Sequence, residues 1–272
     1  MMKIQSHHNY KYLAMLQLSI ILLTSLISFN VFAAHTLPEF SARYAVKKFG
    51  IKLAEAHYQL HYTKAGYRIN QNTDLYGIAV YFSNYAVAAV SHVDEDGDKL
   101  LLRKHTYILS GSDDDRNEDI DILWQTPGNT LDGSVSGIVR GEKIELSTDS
   151  EVWDLLSFQI PLMIEANEKV KEYTYRALLV GEINTYTFEL TEIKKVMFND
   201  KEYDALRMVS ADPDRDRQLH LWLLPELHNI PVLIEDYRDG YRRYSGQLES
   251  VSFNNEEPYI EMQTDDEDED DF

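Results

Sequence analysis

Between Phe40 and Phe253 apolar residues recur at every second position more often than at helical spacing, the pattern of strands that bury one face. Phe40, Ala42, Tyr44 and Val46 alternate with polar neighbours up to a break at Gly50. The next run sets Ala54, Ala56, Tyr58, Leu60 and Tyr62 on one face and Glu55, His57, Gln59 and His61 on the other. Ile51 and Leu53 are out of phase with it, which predicts a β-bulge near Leu53-Ala54. Lys64-Ala65-Gly66 turns into a third strand from Tyr67, and Asp96-Gly97 predicts a hairpin. The inward candidates around that hairpin are Tyr85, Val87 and Ala89 before the turn, and Leu100 and Leu102 after it. Leu75 to Tyr85 reads either as a short helix or as an irregular crossing. Glu118 to Trp124 continues the alternation to Pro127-Gly128, and Ile138 to Leu146 reads as one more short strand.

One segment changes period. Val152, Leu155, Leu156 and Ile160 fall at helical spacing, and Asp149 or Ser150 can cap a helix starting at Glu151. Pro161 should kink or restart it near Ile160. Strands return after Asn167: Tyr173, Tyr175, Ala177 and Leu179 share a face, as do Tyr186, Phe188 and Leu190. Leu219, Leu221 and Leu223 precede Pro225, and Asp239-Gly240 turns Ile230–Tyr237 into the last strand. The expectation is about ten or eleven strands and one main helix. Parallel α/β folds lack their helices here, so the fold class is mainly β: a curved antiparallel sheet or incomplete β-barrel with the helix on its concave side. The helix should bury Val152, Leu155, Leu156 and Ile160.

The ends of the chain differ from its middle. Residues 1–12 carry Lys3 and Lys11, and Leu13 to Phe32 is apolar and uncharged, ending at Val31-Phe32-Ala33. This reads as a cleavable export signal over residues 1–33, placing the mature chain in the periplasm with no integral membrane domain. Residues 34–255 then form a single antiparallel β domain, and 256–272 an acidic disordered tail. Asp265 to Asp271 is seven consecutive acids, which should remain solvated; docking it would require a basic groove that the sequence does not display. Acids outnumber bases 46 to 26, giving a net charge of −20, which repels phosphate backbones and argues against nucleic-acid partners. There is no cysteine, so disulfides, thiolate metal sites and a Cys nucleophile are excluded.

Three segments resemble a family of bacterial exported proteins catalogued as domain of unknown function 3108. They are Tyr44-x-Val46 with Gly50 and Leu53-Ala54-Glu55-Ala56; Asp154-Leu155-Leu156-Ser157; and His220-Leu221-Trp222-Leu223 with Ile230-Pro231-Val232, Ile234-Glu235 and Asp239-Gly240. The resemblance implies an incomplete barrel similar to periplasmic half-barrels that carry lipoproteins, and no established activity. Read as residues, these segments are structural: Trp222 packs in a strand, Pro231 belongs at an edge or strand start, and Asp154 and Ser157 bond to nearby backbone.

Motifs for chemistry are weak. Gly133-Ser134-Val135-Ser136-Gly137 has Val135 where a nucleophile elbow needs Ser. His57 and His61 lie on one strand face but their Cβ atoms are about 13 Å apart, too far to share a metal. Asp113-Asp114-Asp115-Arg116-Asn117 has Glu118 in place of the calcium-loop Gly, and Asp212-x-Asp214-x-Asp216 has Arg217 there. No catalytic residue, metal site or cofactor is assigned, and the ligand-binding residues are unknown. The function expected is a non-catalytic periplasmic protein of cell-envelope maintenance, binding an apolar, lipid-like or envelope-derived ligand or an envelope protein on the concave side. The alternatives are a hydrolase-like enzyme without a recognisable motif, or a structural scaffold.

Overall fold

The computed structural model describes residues 37–81, 84–97, 99–111, 116–125, 131–198, 201–212 and 216–254, and the backbone of 260–261. The leader, the acidic tail, the run Asp113 to Asp115, and Asp214 lie outside them. Within them the first half of the sheet is β1 (Phe40–Lys48), β2 (Ile51–Tyr62), β3 (Gly66–Leu75), β4 (Ala86–Asp96), β5 (Lys99–Ser110), β6 (Glu118–Gln125), β7 (Asp132–Val139) and β8 (Glu142–Thr148). The two-residue β9 (Trp153–Asp154) leads into helix α1 (Gln159–Glu165). The second half is β10 (Glu172–Leu179), β11 (Glu182–Phe198), β12 (Lys201–Asp212), β13 (Arg217–Leu224), β14 (Ile230–Arg238), β15 (Tyr241–Phe253) and β16 (Ile260–Glu261).

All belong to one sheet, ordered β8-β7-β6-β5-β4-β3-β2-β1-β15-β14-β13-β12-β11-β10-β9, with β16 added to β15. Every pairing is antiparallel except β9 with β10. Consecutive hairpins build two meanders, and β1 pairing with β15 joins them into a single layer. The expected curved antiparallel sheet with one helix on its concave side is the fold, with a parallel two-residue pair at one edge. The predicted bulge is present: Val46 faces Ala54 while Lys47 faces Lys52, leaving Leu53 as the extra residue.

The concave face holds the core. Tyr44, Leu60, Ile69, Ile120, Met208, Leu221 and Leu223 are buried there with Ile160 and Leu162 of the helix. Tyr44 donates its hydroxyl hydrogen to the Pro231 carbonyl at 2.8 Å, and its ring meets Tyr58 edge-on at 5.4 Å. The sheet ends approach without hydrogen-bonded closure. A Cβ on Gly181, in the β10–β11 turn, would stand 3.2 Å from Ile144 of β8.

Several expectations are corrected. Among the described residues there are sixteen strands and not ten or eleven: the single strand expected over Ile138 to Leu146 is two, broken by the turn at Arg140-Gly141, and the two-residue β9 and β16 are among the others. The segment Leu75 to Tyr85, open between a short helix and an irregular crossing, does hold a short helix, the 3₁₀ helix Gly77–Tyr81. The helix begins at Gln159 and not near Ser150, because the Asp154 carboxylate takes the Leu156 and Ser157 amides at 2.7 and 3.0 Å and holds a turn in place of the helix. Pro161 then falls in the first helical turn, where its missing N–H removes no bond. Val152, Leu156 and Ile160 are buried as expected, but Leu155 is 45% exposed because that turn points it away. Tyr85 also faces solvent, 49% exposed, whereas Ala89 and Leu102 are buried.

Candidate functional site

Helix α1 lies across β10 and β11, where Phe158 stacks on Phe188 at 5.3 Å with ring planes 16° apart. Its C-terminal end is fixed from the β13–β14 connection: Asn229 Nδ2 donates to the Met163 and Ala166 carbonyls at 2.8 and 2.9 Å. Tyr173 and Tyr175 reach it from β10, Tyr173 donating to the Glu165 carbonyl and Tyr175 to the Glu165 carboxylate. Burial, reinforced by the Glu165 charge, raises the Tyr175 hydroxyl well above its ordinary range, so it remains a donor.

Between the turn before α1 and the strands beneath it a crevice of about 100 Å³ stays unfilled. Leu155, Phe158, Tyr175, Tyr186, Phe188 and Leu219 form its apolar walls, and Asp212 and Arg217 stand at one end. It exists because Asp154 turns the chain outward at Leu155, leaving the helix to cover only part of the apolar surface of β10–β13. On the other side of Tyr175 a wider depression of about 830 Å³ is bordered by Trp153, Pro161, Glu165 and Arg176. Tyr175 borders both. The pair offers an apolar slot beside a polar mouth, which suits an amphiphile.

A second cluster joins β9 and the turn before α1 to β4 and β5 of the other half of the sheet. Asp154 Oδ2 accepts from Ser157 Oγ at 2.6 Å, its Oδ1 stands 3.3 Å from His105 Nδ1, and that nitrogen is 3.0 Å from Ser91 Oγ. These are the residue types of acyl transfer, but a working relay needs the imidazole between hydroxyl and carboxylate through its two nitrogens. Here one nitrogen faces both groups, Ser157 bonds directly to the carboxylate, and all four side chains are buried. The arrangement locks β5 to β9.

The other motif residues that the structure describes make packing and hydrogen-bond contacts. Trp222 packs on the outer face, its indole N–H donating to Glu235 at 3.3 Å with Arg207 and Lys194 over the ring. Pro231 is the second residue of β14, beside a register shift. Residues 133–137 are plain strand, and Gly137 is required because a Cβ there would sit 2.2 Å from the Asp119 carbonyl oxygen. His57 turns to Glu55 at 2.8 Å and is not brought to His61. Tyr175, Tyr186, Phe188 and Leu219 were legible as strand faces, Leu155 was expected on the buried side of a helix and Phe158 was not singled out; that they surround a gap depends on the local turn at Asp154.

No family model matches the chain, and no curated protein does. The resemblance to domain of unknown function 3108 therefore rests on the quoted residues alone. A solved structure is similar in fold: the crystal structure of a beta-barrel-like protein of domain of unknown function DUF1849 from Brucella abortus, with a TM-score of 0.52. The likeness covers 80% of this chain and 99% of that one at 9% identity, so it concerns the fold alone. Among the described residues no helix is long and apolar enough to cross a membrane.

Proposed function

We propose that this protein is an exported, non-catalytic half-barrel of the bacterial envelope that seats the apolar end of an amphiphilic ligand beside α1, with the ligand's polar part in the wider depression. The observation that carries the reading is the crevice of about 100 Å³ walled by Leu155, Phe158, Tyr175, Tyr186, Phe188 and Leu219. An apolar cavity of about 150 Å³ takes a benzene-sized ligand, so this crevice takes a short alkyl end or a small ring and not a whole lipid. Export is supported by the uncharged run Leu13 to Phe32 ending at Val31-Phe32-Ala33, and the periplasm by that run with the absence of cysteine. Membership of domain of unknown function 3108 is part of the same reading and rests on the motif residues given above.

The test is a fluorescence titration with a short alkyl chain carrying an environment-sensitive dye. Wild-type protein should bind it saturably at one equivalent. Ala177→Phe fills the crevice and Leu155→Gln makes its exposed rim polar; each should weaken binding at least about tenfold, ~1.4 kcal/mol. Unchanged affinity in both variants would overturn the reading. Recovery of the exported protein with an intact mass starting at Ala34 supports the location, and retention of Met1 contradicts it.

A further inference from the structure

The β1–β2 turn, the β14–β15 strands and the end of β11 surround a cleft of about 250 Å³ on the face opposite the helix. Its charged lining residues are Lys47, Lys48, Arg242 and Arg243, with no Asp or Glu among them. That is unexpected in a chain with 46 acids and 26 bases. Register explains the gathering, since Lys47 pairs with Ser245 across β1–β15 and brings two basic dipeptides far apart in sequence onto one surface. Arg242 is drawn to Glu235 at 2.9 Å. Lys48 lies over the Phe49 and Tyr244 rings at 5.5 and 5.3 Å, and Arg243 over Tyr244 at 5.8 Å. Among the described residues Lys47, Lys48 and Arg243 have no carboxylate within ion-pair distance. Phe49 stands 87% exposed at the rim with φ at 53°, a backbone state that a bulky residue rarely takes.

We propose that this cleft is the docking site of the chain's own acidic C-terminal segment, Asp265 to Asp271. Three observations commit it to that occupant. The segment brings seven adjacent carboxylates and no base, the complement of the lining. Its origin lies next to the cleft: Glu261 of β16 pairs with Ser250, and Ile260 with Val251, on the edge of β15 that β14 leaves free. The strand direction is also right. Ile260–Glu261 runs antiparallel to β15 from Val251 to Ser250, and that direction, continued, leads to Gln247 and its partner Leu233, both lining residues of the cleft. Ser250 to Gln247 is about 10 Å along the strand, and the four residues from Glu261 to Asp265 reach up to about 14 Å. The docked segment neutralises Lys47, Lys48 and Arg243, while Arg242 keeps its pair with Glu235.

Zero-length carbodiimide coupling of the full mature chain tests this, since it joins carboxylates only to amines in contact with them. In the monomer fraction, peptides from 262–272 should be found joined to Lys47 or Lys48. The yield should fall at least about fivefold at 1 M salt, where the screening length is about 3 Å. The same loss is expected when inorganic pyrophosphate is added and when Arg243→Glu removes a neighbouring cation while leaving both lysines. The proposal is overturned if tail carboxylates couple mainly to surface lysines such as Lys143 and Lys195, if links form only between molecules, or if yield is indifferent to salt. Should Arg243→Glu fail to fold, the salt series on the unaltered chain decides the matter alone.

Discussion

His105 Nδ1 lies 3.3 Å from Asp154 Oδ1, and through that contact a strand near one end of the sheet meets the last strand at the other. β5 and β9 share no backbone pairing, so this contact and the β10–β11 turn against β8 do the work that hydrogen bonds do in a closed barrel. The Asp154 carboxylate accepts from two amides and one hydroxyl in a buried site, and by doing so delays the helix to Gln159 and turns Leu155 outward. Closure of the sheet and formation of the crevice thus share one side chain.

Asp154→Ala should cost more than an ordinary substitution. It leaves two amides and a hydroxyl without their acceptor, at about 1–3 kcal/mol per buried group. A net loss of about 3 kcal/mol lowers Tm by roughly 6–12 °C in a chain of this size. Asp154→Asn keeps an acceptor oxygen for the amides and should lose less than half as much. Calorimetry on both variants checks the order.

Gly137→Ala should destabilise more than Gly240→Ala, although both add one methyl group. At Gly137 the new carbon would sit 2.2 Å from the Asp119 carbonyl oxygen and 2.8 Å from Ile120 Cα, so β6 and β7 must separate. At Gly240 nothing lies within 4 Å and the cost is the positive φ of 76° alone, about 1–2 kcal/mol. Urea denaturation of the two variants measures the difference directly; equal midpoints would mean β6 and β7 are not in contact at Gly137.

Alkaline pH should unfold the domain through its buried tyrosines. Burial raises the Tyr44 and Tyr67 hydroxyls above their ordinary range and pushes Tyr58 up to about 12. A raised folded-state value means that the stability is fully present below about pH 10, the unfolded value, and is lost as pH climbs through the folded values. Phenolate absorbance and far-ultraviolet circular dichroism should therefore change together in a steep step well above pH 10. Complete ionisation near pH 10 with the strand signal retained would show these hydroxyls to be solvated.

Sheet and core were legible because alternation reports which side of a strand is buried, and the Leu53 bulge was legible because a phase break has no other cheap resolution. The helix start was misread because Val152, Leu155, Leu156 and Ile160 satisfy helical spacing, while the side chain of Asp154 competes for the same amides. The strand count fell short over Ile138 to Leu146, where Arg140-Gly141 turns the chain within what reads as one apolar stretch. The basic cleft could not be read at all. Lys47-Lys48 and Arg242-Arg243 are ordinary pairs in sequence, and only the β1–β15 register makes them one surface.

Photo-crosslinking with a short acyl chain bearing a diazirine at its end tests most directly whether the concave crevice is the ligand site. The chain also exposes apolar side chains at Ile78, Val80 and Tyr81 on the 3₁₀ helix, a surface where an apolar probe would collect without a specific site. The account predicts one label per chain, mapped to peptides containing Leu155, Phe158, Tyr186 or Leu219, and suppressed by Ala177→Phe. Labelling concentrated on Gly77–Tyr81, or spread over the surface and unaffected by that substitution, would contradict it.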